Sequence, residues 1–271
     1  MPQPDTKTIS ASSAWDQFHR RWARLKPPLR PHADVVAALT AAIAGHESDI
    51  LLLGVTPELA DIGRATTAAD HSASMIERIW PGDTDRRRAL LADWLVLPMP
   101  AASFSAAIGD GSLNVISLTH HPALFAELHR VLTPGARLAV RVYAMPEPCE
   151  SIAALRAAVM EGQAPHFHAF KWRLAMAVAA EGATGDVPVA LIHQTFTEQF
   201  PDPGALLRAT GWSSEDLAEM EAYRGQEVVL CFPTRPALLA ALAPAFVNAR
   251  FVPSGRYALA ERCPILIANK A

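Results

Sequence analysis

Four residues close stretches that can form β-strands: Gly54 after ILLL, then Asp70, Asp93 and Asp110, at intervals of 16, 23 and 17 residues. Each interval holds one helix and its loops. In an open α/β sheet such strand ends share one edge, and that edge is where ligands bind. A carboxylate at Asp70 can accept two hydrogen bonds from a ribose diol. Asp93 can accept from the exocyclic amine of an adenine, with Trp94 supplying an amide and an aromatic wall. Gly54, Gly109 and Gly111 let backbone approach an amino-acid tail closely, and Asp110 suits an ammonium. Together these residues suit a nucleoside with a charged tail.

The elements that position them follow from pattern. Ile50 to Gly54 is apolar or side-chain-free and ends in a Thr56-Pro57 turn, as a buried parallel strand does. Strands are expected at 49–54, 65–69, 89–92, 104–108 and 137–143. Helices are expected at 57–63, from Ser72 onward, and at 122–132, before the Thr133-Pro134-Gly135 turn. This alternation predicts an α/β fold, a doubly wound and mostly parallel sheet with helices on both faces. A strand-like run at 228–232, a helix over 236–246 and two strands at 251–257 and 264–267 complete the chain.

Two segments lie outside the alternation. Residues 13–25 set Trp15, Phe18, Trp22 and Leu25 at helical spacing, with Ser13 and Asp16 as a loose capping box. This stripe reads either as core or as a cap over the cleft. A second helix is expected over 31–44. Residues 146–235 exceed a plain connection and carry helices at 151–161 and 167–181, then helical and turn material over 206–223. Phe167, Phe170, Trp172, Phe196, Phe200 and Trp212 make this segment aromatic. It reads as an acceptor-binding cap, with a homodimer surface as the other reading. The expected organisation is 1–45 as an N-terminal helical cap, 46–145 plus 236–271 as the sheet domain, and 146–235 as a helical insertion.

Composition narrows the function. The chain has 271 residues, 51% hydrophobic and 19% charged, with a net charge of −3. There is no basic excess to neutralise a phosphate backbone, so nucleic acid is not expected as a partner. The Arg86–Arg88 cluster reads as a solvated helix start. Cys149, Cys231 and Cys263 are scattered, which points away from disulfides and structural zinc. The first ten residues lack an apolar run and no segment is apolar enough to span a bilayer, so a cytoplasmic protein without membrane contact is expected. His166-x-His168 has no further ligand at metal spacing, and no metal is expected. His120-His121 and Tyr143 are candidates for the reaction side, His121 as a general base or as a simple helix start.

The same stretches resemble the class I, Rossmann-like S-adenosylmethionine-dependent methyltransferases. LLLGVTPE corresponds to the family's first loop, Asp70 to its strand-two acid, and Met75 and Ile76 to the helix after it. ADWLVLP and IGDGSLNVI correspond to the loops after strands three and four. LHRVLTPGARLAVRVY, with its turn and fifth strand, is the most specific match. The resemblance covers about residues 45–145. It implies a seven-stranded sheet, S-adenosyl-L-methionine as cofactor, and cofactor contacts from Gly54, Val55, Thr56, Asp70, His71, Met75, Asp93, Trp94, Asp110, Gly111 and Ser112. Two departures stand out. Thr56 replaces the usual second glycine, which lets its hydroxyl meet the tail carboxylate, and Leu52 replaces the usual acid. No G-x-G-x-x-G or G-x-x-x-x-G-K-[ST] is present. The expected function is methyl transfer to an O, N or C nucleophile of a small molecule. The alternative is a non-catalytic module that binds the cofactor or its demethylated product as a sensor or partner subunit. An aminopropyl transferase is disfavoured, because the acids do not cluster as a polyamine site would need.

Overall fold

In the computed structural model, which describes residues 19–271 except 165 and 183, strand β1 (Asp49–Leu53) lies centrally in the sheet. Ile50 to Leu53 are fully buried, as a strand apolar on both faces must be. It pairs in parallel with β2 (Ala65–Asp70) on one side and β4 (Phe104–Asp110) on the other. Strand β3 (Arg87–Leu91) extends the first side, and β5 (Leu132–Arg141) the second. Two antiparallel strands, β8 (Phe246–Val252) and β9 (Ile265–Lys270), finish the sheet in the order β3-β2-β1-β4-β5-β9-β8. The chain first builds outward from β1 to β3 and then crosses to β4. The switch point therefore lies between β1 and β4, and Gly54 and Asp110 flank it.

Alternation along β1 divides the apolar residues between two layers. Leu51 and Leu53 join Leu124, Phe125 and Leu128 of α3 (His121–Val131) and Leu238 of α9 (Arg235–Leu242). Ile50 and Leu52 join Val35 and Leu39 of α1 (Ala33–Ala42) and Met75 of α2 (Ala73–Ile79). The seven-stranded, mostly parallel sheet covered on both faces is the fold class expected.

A third core belongs to the insertion. It contains α4 (Ile152–Met160), α5 (Phe167–Ala180), α6 (Val189–Gln199), α7 (Pro203–Thr210), α8 (Ser214–Glu221) and a two-stranded ribbon of β6 (Asp186–Pro188) and β7 (Val229–Cys231). Helix α5 is buried at twelve of its fourteen positions, so it forms the axis of this layer. Ser151, Asp202 and Ser213 cap α4, α7 and α8, the last in a full capping box with Asp216. Leu25 and Leu29 of the N-terminal segment are buried in the same core, and Trp22 packs on it.

Several expectations are corrected. The helix over 57–63 is one 3-10 turn, Pro57–Leu59, and at Gly63 the backbone runs against Ile50, where a Cβ would sit 2.3 Å from Ile50 Cγ1. The Arg86–Arg88 cluster enters β3 instead of starting a helix. Arg86 donates to Gly63 O and Arg64 O, and Arg87 pairs with Asp61 at 2.5 Å. Strand β8 starts at Phe246, so the preceding helix ends at Leu242. Helix α6 and strand β6 lie between 181 and 206, where the sequence pattern predicts no element. Trp15, Phe18, Ser13 and Asp16 lie outside the described residues. Among those described, no helix is long and apolar enough to cross a membrane.

Candidate active site

The carboxyl edge of the sheet opens into a cavity beneath the insertion. At its centre Gly54 turns the chain out of β1 with φ +100°, a conformation that favours glycine. A Cβ there would project between Asp70 Oδ2, at 3.9 Å, and Trp94 Cζ2, at 4.0 Å. The missing side chain therefore leaves a slot between a carboxylate and an indole. One carbonyl fixes both walls. Ala69 O accepts from Gly54 N–H at 2.8 Å and from Trp94 Nε1–H at 2.6 Å.

Asp70 ends β2. Its Oδ1 accepts from Ser72 N–H at 2.8 Å, and among the described residues Oδ2 has no protein donor. Burial pushes its pKa up, against the Ser72 hydrogen bond and the neighbouring His71. A buried carboxylate with one open oxygen gains when a ligand brings hydroxyl donors to it. Ser72 caps α2, accepting from Met75 N–H at 3.3 Å, which sets Met75 on the cavity wall.

The loop after β4 supplies the opposite wall. Gly111 has φ +69°, and a Cβ there would meet the Tyr143 ring at 2.7 Å. Ser112 Oγ donates to Leu53 O at 2.9 Å, tying this loop to the first. Asn114 clasps Tyr143 through backbone N–H and C=O, both at 2.9 Å, and donates to Cys231 O of β7 at 2.7 Å. One buried amide thus joins sheet and insertion.

The carboxylate of Asp110 does not serve the cavity. Its register partner in β5 is Arg141, fully buried, whose guanidinium takes both carboxylate oxygens. Burial works against the guanidinium charge, yet Asp110 and the neighbouring Tyr143 and Tyr257 hold its proton far above the ordinary range. The ammonium expected at Asp110 therefore meets a carboxylate already spent. Arg141 NH2 also donates to Pro28 O at 2.7 Å, and Tyr143 Oη–H to the same carbonyl at 2.9 Å. These bonds moor the N-terminal segment, whose Trp22, Leu25 and Leu29 line the cavity. These three residues thus both pack with the third core and line the cavity.

The structure brings Gly54, Val55, Thr56, Asp70, Met75, Trp94, Asp110, Gly111 and Ser112 to one cavity. His71 and Asp93 are not on its wall. Both are exposed, and Asp93 Oδ1 accepts from Leu95 N–H at 2.9 Å in its own turn. His121 is not on it either: its Nε2 bridges Leu113 O and Ile116 O at 2.9 and 3.2 Å, and burial lowers its pKa. His120 is exposed. Sequence reasoning missed Asn114 and the polar lining from the insertion, Lys171, Glu219, Tyr223 and Gln226. A lysine inside the apolar run FHAFKWRLAMAVAA was the available signal.

Residues 54–140 match the family model for a methyltransferase domain. That stretch, about a third of the chain, is similar to a methyltransferase domain. No curated protein matches the sequence. Among solved structures, the chain resembles the 1,6-didemethyltoxoflavin-N1-methyltransferase of Burkholderia thailandensis, at 15% identity and TM-score 0.53 over 100% of this chain and 92% of that one. It resembles human N-acetylserotonin methyltransferase at 11% identity and TM-score 0.52, over 100% of this chain and 60% of that one. A Rhodobacter sphaeroides protein named as a candidate zinc-dependent alcohol dehydrogenase aligns at 14% identity and TM-score 0.60, over 97% and 99% of the two chains. At these identities the likeness is one of fold. Among the described residues no group of three or more His, Cys, Asp or Glu could hold a metal ion. The cofactor of such a domain is S-adenosylmethionine, and the open Asp70 oxygen beside the slot offers the acceptor that ribose hydroxyls need.

Proposed function

We propose that the enzyme transfers a methyl group to an O, N or C nucleophile of a small molecule. Bound cofactor supplies an electrophilic methyl on a sulfonium. The chain's own task is to align and desolvate, and alignment is where enzymes of this kind gain most of their rate. In this reading Asp70 accepts from the ribose diol and Trp94 walls the adenine. Gly54 and Gly111 admit backbone close to the tail. Thr56, whose hydroxyl has no protein partner among the described residues, meets the tail carboxylate, and Ser112 keeps the two loops together. Tyr143 and Trp172, packed edge to face at 5.3 Å, form the wall between cofactor and acceptor. The N-terminal segment and the insertion cover the cavity, which supports a small acceptor.

The observation that carries this reading is the open Oδ2 of buried Asp70 beside a glycine-formed slot. Calorimetric titration with S-adenosylmethionine and S-adenosylhomocysteine tests it. Asp70→Ala is expected to lose about 1.5–3 kcal/mol of binding, on the order of tenfold or more in Kd. Wild-type affinity in that variant would sink the assignment.

A further inference from the structure

The insertion contributes two charged side chains to the cavity wall, Lys171 and Glu219, both buried. They sit on facing elements in consecutive rungs. His168 Nε2 lies 3.0 Å from Glu219 Oε2, and one turn along α5 the Lys171 ammonium stands 4.0 Å from the centroid of the Tyr223 ring. Residues 168 and 171 share a face of α5, and 219 and 223 are spaced one turn apart. So the His168 contact fixes the carboxylate and the Tyr223 ring fixes the ammonium. Besides Gln226 and Asn114, the wall here is apolar and partly aromatic: Trp22, Leu25, Trp172, Val189, Val228 and Leu230. Buried charges in such a wall are costly unless they serve one another or a ligand.

Resting on the methyl-transfer reading above, we infer that the acceptor is a neutral, planar aromatic or heteroaromatic molecule carrying a weakly acidic hydroxyl or ring N–H. A cationic acceptor would meet Lys171, and an anionic one would meet Glu219. A neutral acceptor meets neither repulsion on entry and gives up its proton only once it is bound. Its O–H or N–H proton passes to the Glu219 carboxylate, and Lys171 stands against the charge left on the acceptor. The new O–C or N–C bond forms as the C–S bond breaks, the bonding pair leaves with sulfur, and Glu219 later returns its proton to water. Glu219 is thus assigned as the base and Lys171 as the electrostatic partner of the nucleophile.

The test uses full-length protein saturated with S-adenosylhomocysteine and four probes of one shape: 2-naphthol, 2-methoxynaphthalene, 2-naphthoate and 2-(aminomethyl)naphthalene. Binding is followed by calorimetry, and naphthol ionisation by its absorption spectrum. The expected result is preference for 2-naphthol by about tenfold or more over the other three, the scale for a site built around one hydroxyl. The bound naphthol should show naphtholate absorption at a pH where free naphthol is neutral. Glu219→Gln and Lys171→Met should each abolish that absorption. Both variants should keep S-adenosylhomocysteine affinity within about twofold, because neither side chain is assigned a contact with the cofactor. Equal binding of 2-methoxynaphthalene, preference for the ammonium or carboxylate probe, or naphtholate absorption that survives both variants would overturn the inference. Failure of wild type to bind S-adenosylhomocysteine would remove the cofactor reading instead. The probe series on the free protein would then still decide the acceptor class.

Discussion

At Gly54 two demands meet: a backbone at φ +100° and an empty slot between Asp70 and Trp94. Gly135 shares only the first, with φ +73° and nothing within 4 Å of an added Cβ. The pair therefore separates strain from occupancy. Gly54→Ala and Gly135→Ala should each cost about 1–2 kcal/mol of stability in denaturant titrations, since alanine is strained at positive φ. Only Gly54→Ala should also weaken S-adenosylhomocysteine binding, by about tenfold or more, because its methyl enters the slot. Equal affinities in the two variants would mean that the slot is not used. Sequence spacing picked out Gly54, Asp70 and Trp94, because a strand that ends in glycine or acid announces its own terminus. It picked out Asp93 and Asp110 as well. Whether a carboxylate points into a cavity, into solvent or at a neighbouring strand depends on partners that are remote in sequence.

The Asp110–Arg141 pair shows that dependence between elements. Parallel pairing of β4 with β5 puts the two residues side by side at the strand ends, and neither side chain keeps appreciable exposure. A buried ion pair resists loss of one partner more than loss of both. Asp110→Asn should therefore cost about 3–5 kcal/mol in chemical denaturation, by leaving the guanidinium without its counter-charge. The double variant Asp110→Asn with Arg141→Met should recover a large part of that loss. If Asp110→Asn removed cofactor binding at little cost in stability, Asp110 would be a ligand after all. The strands themselves were legible. Apolar runs and Pro-Gly punctuation placed the five parallel strands close to where they stand. Helix α6 was not legible, because VALIHQTFTEQ has neither a side-chain cap nor a clean apolar face to mark its start. The register that joins Asp110 to Arg141 follows from pairing along whole strands and leaves no local mark.

For the whole molecule, the decisive contacts are those that close the cavity from outside the sheet. Pro28 O receives Arg141 and Tyr143, and Asn114 reaches Cys231, so the N-terminal segment and the insertion are both fastened to the strand edge. Their apolar residues share one core with each other and with Tyr143. A ligand in the cavity touches all three parts, so an opening that frees one of them must release the ligand. Ligand at 100 times its Kd then adds about 2.7 kcal/mol to every such opening, roughly a hundredfold in hydrogen exchange. S-adenosylhomocysteine should accordingly slow exchange in the loops at 53–56 and 111–115, in residues 22–29, and in the 219–230 stretch together. Helix α9 and strand β8, which pack away from the cavity, should be unchanged by any opening that involves only the covering parts. Protection confined to the strand-edge loops would show that the covering segments open without releasing ligand. The cavity would then be assembled from independent parts, and Asn114→Ala would quicken exchange at 219–230 while the loop at 53–56 stayed slow. Coupled protection predicts another result for that variant: exchange at 219–230 and at 53–56 should quicken together, because Asn114 Nδ2 fastens the insertion at Cys231 and its opening releases the ligand.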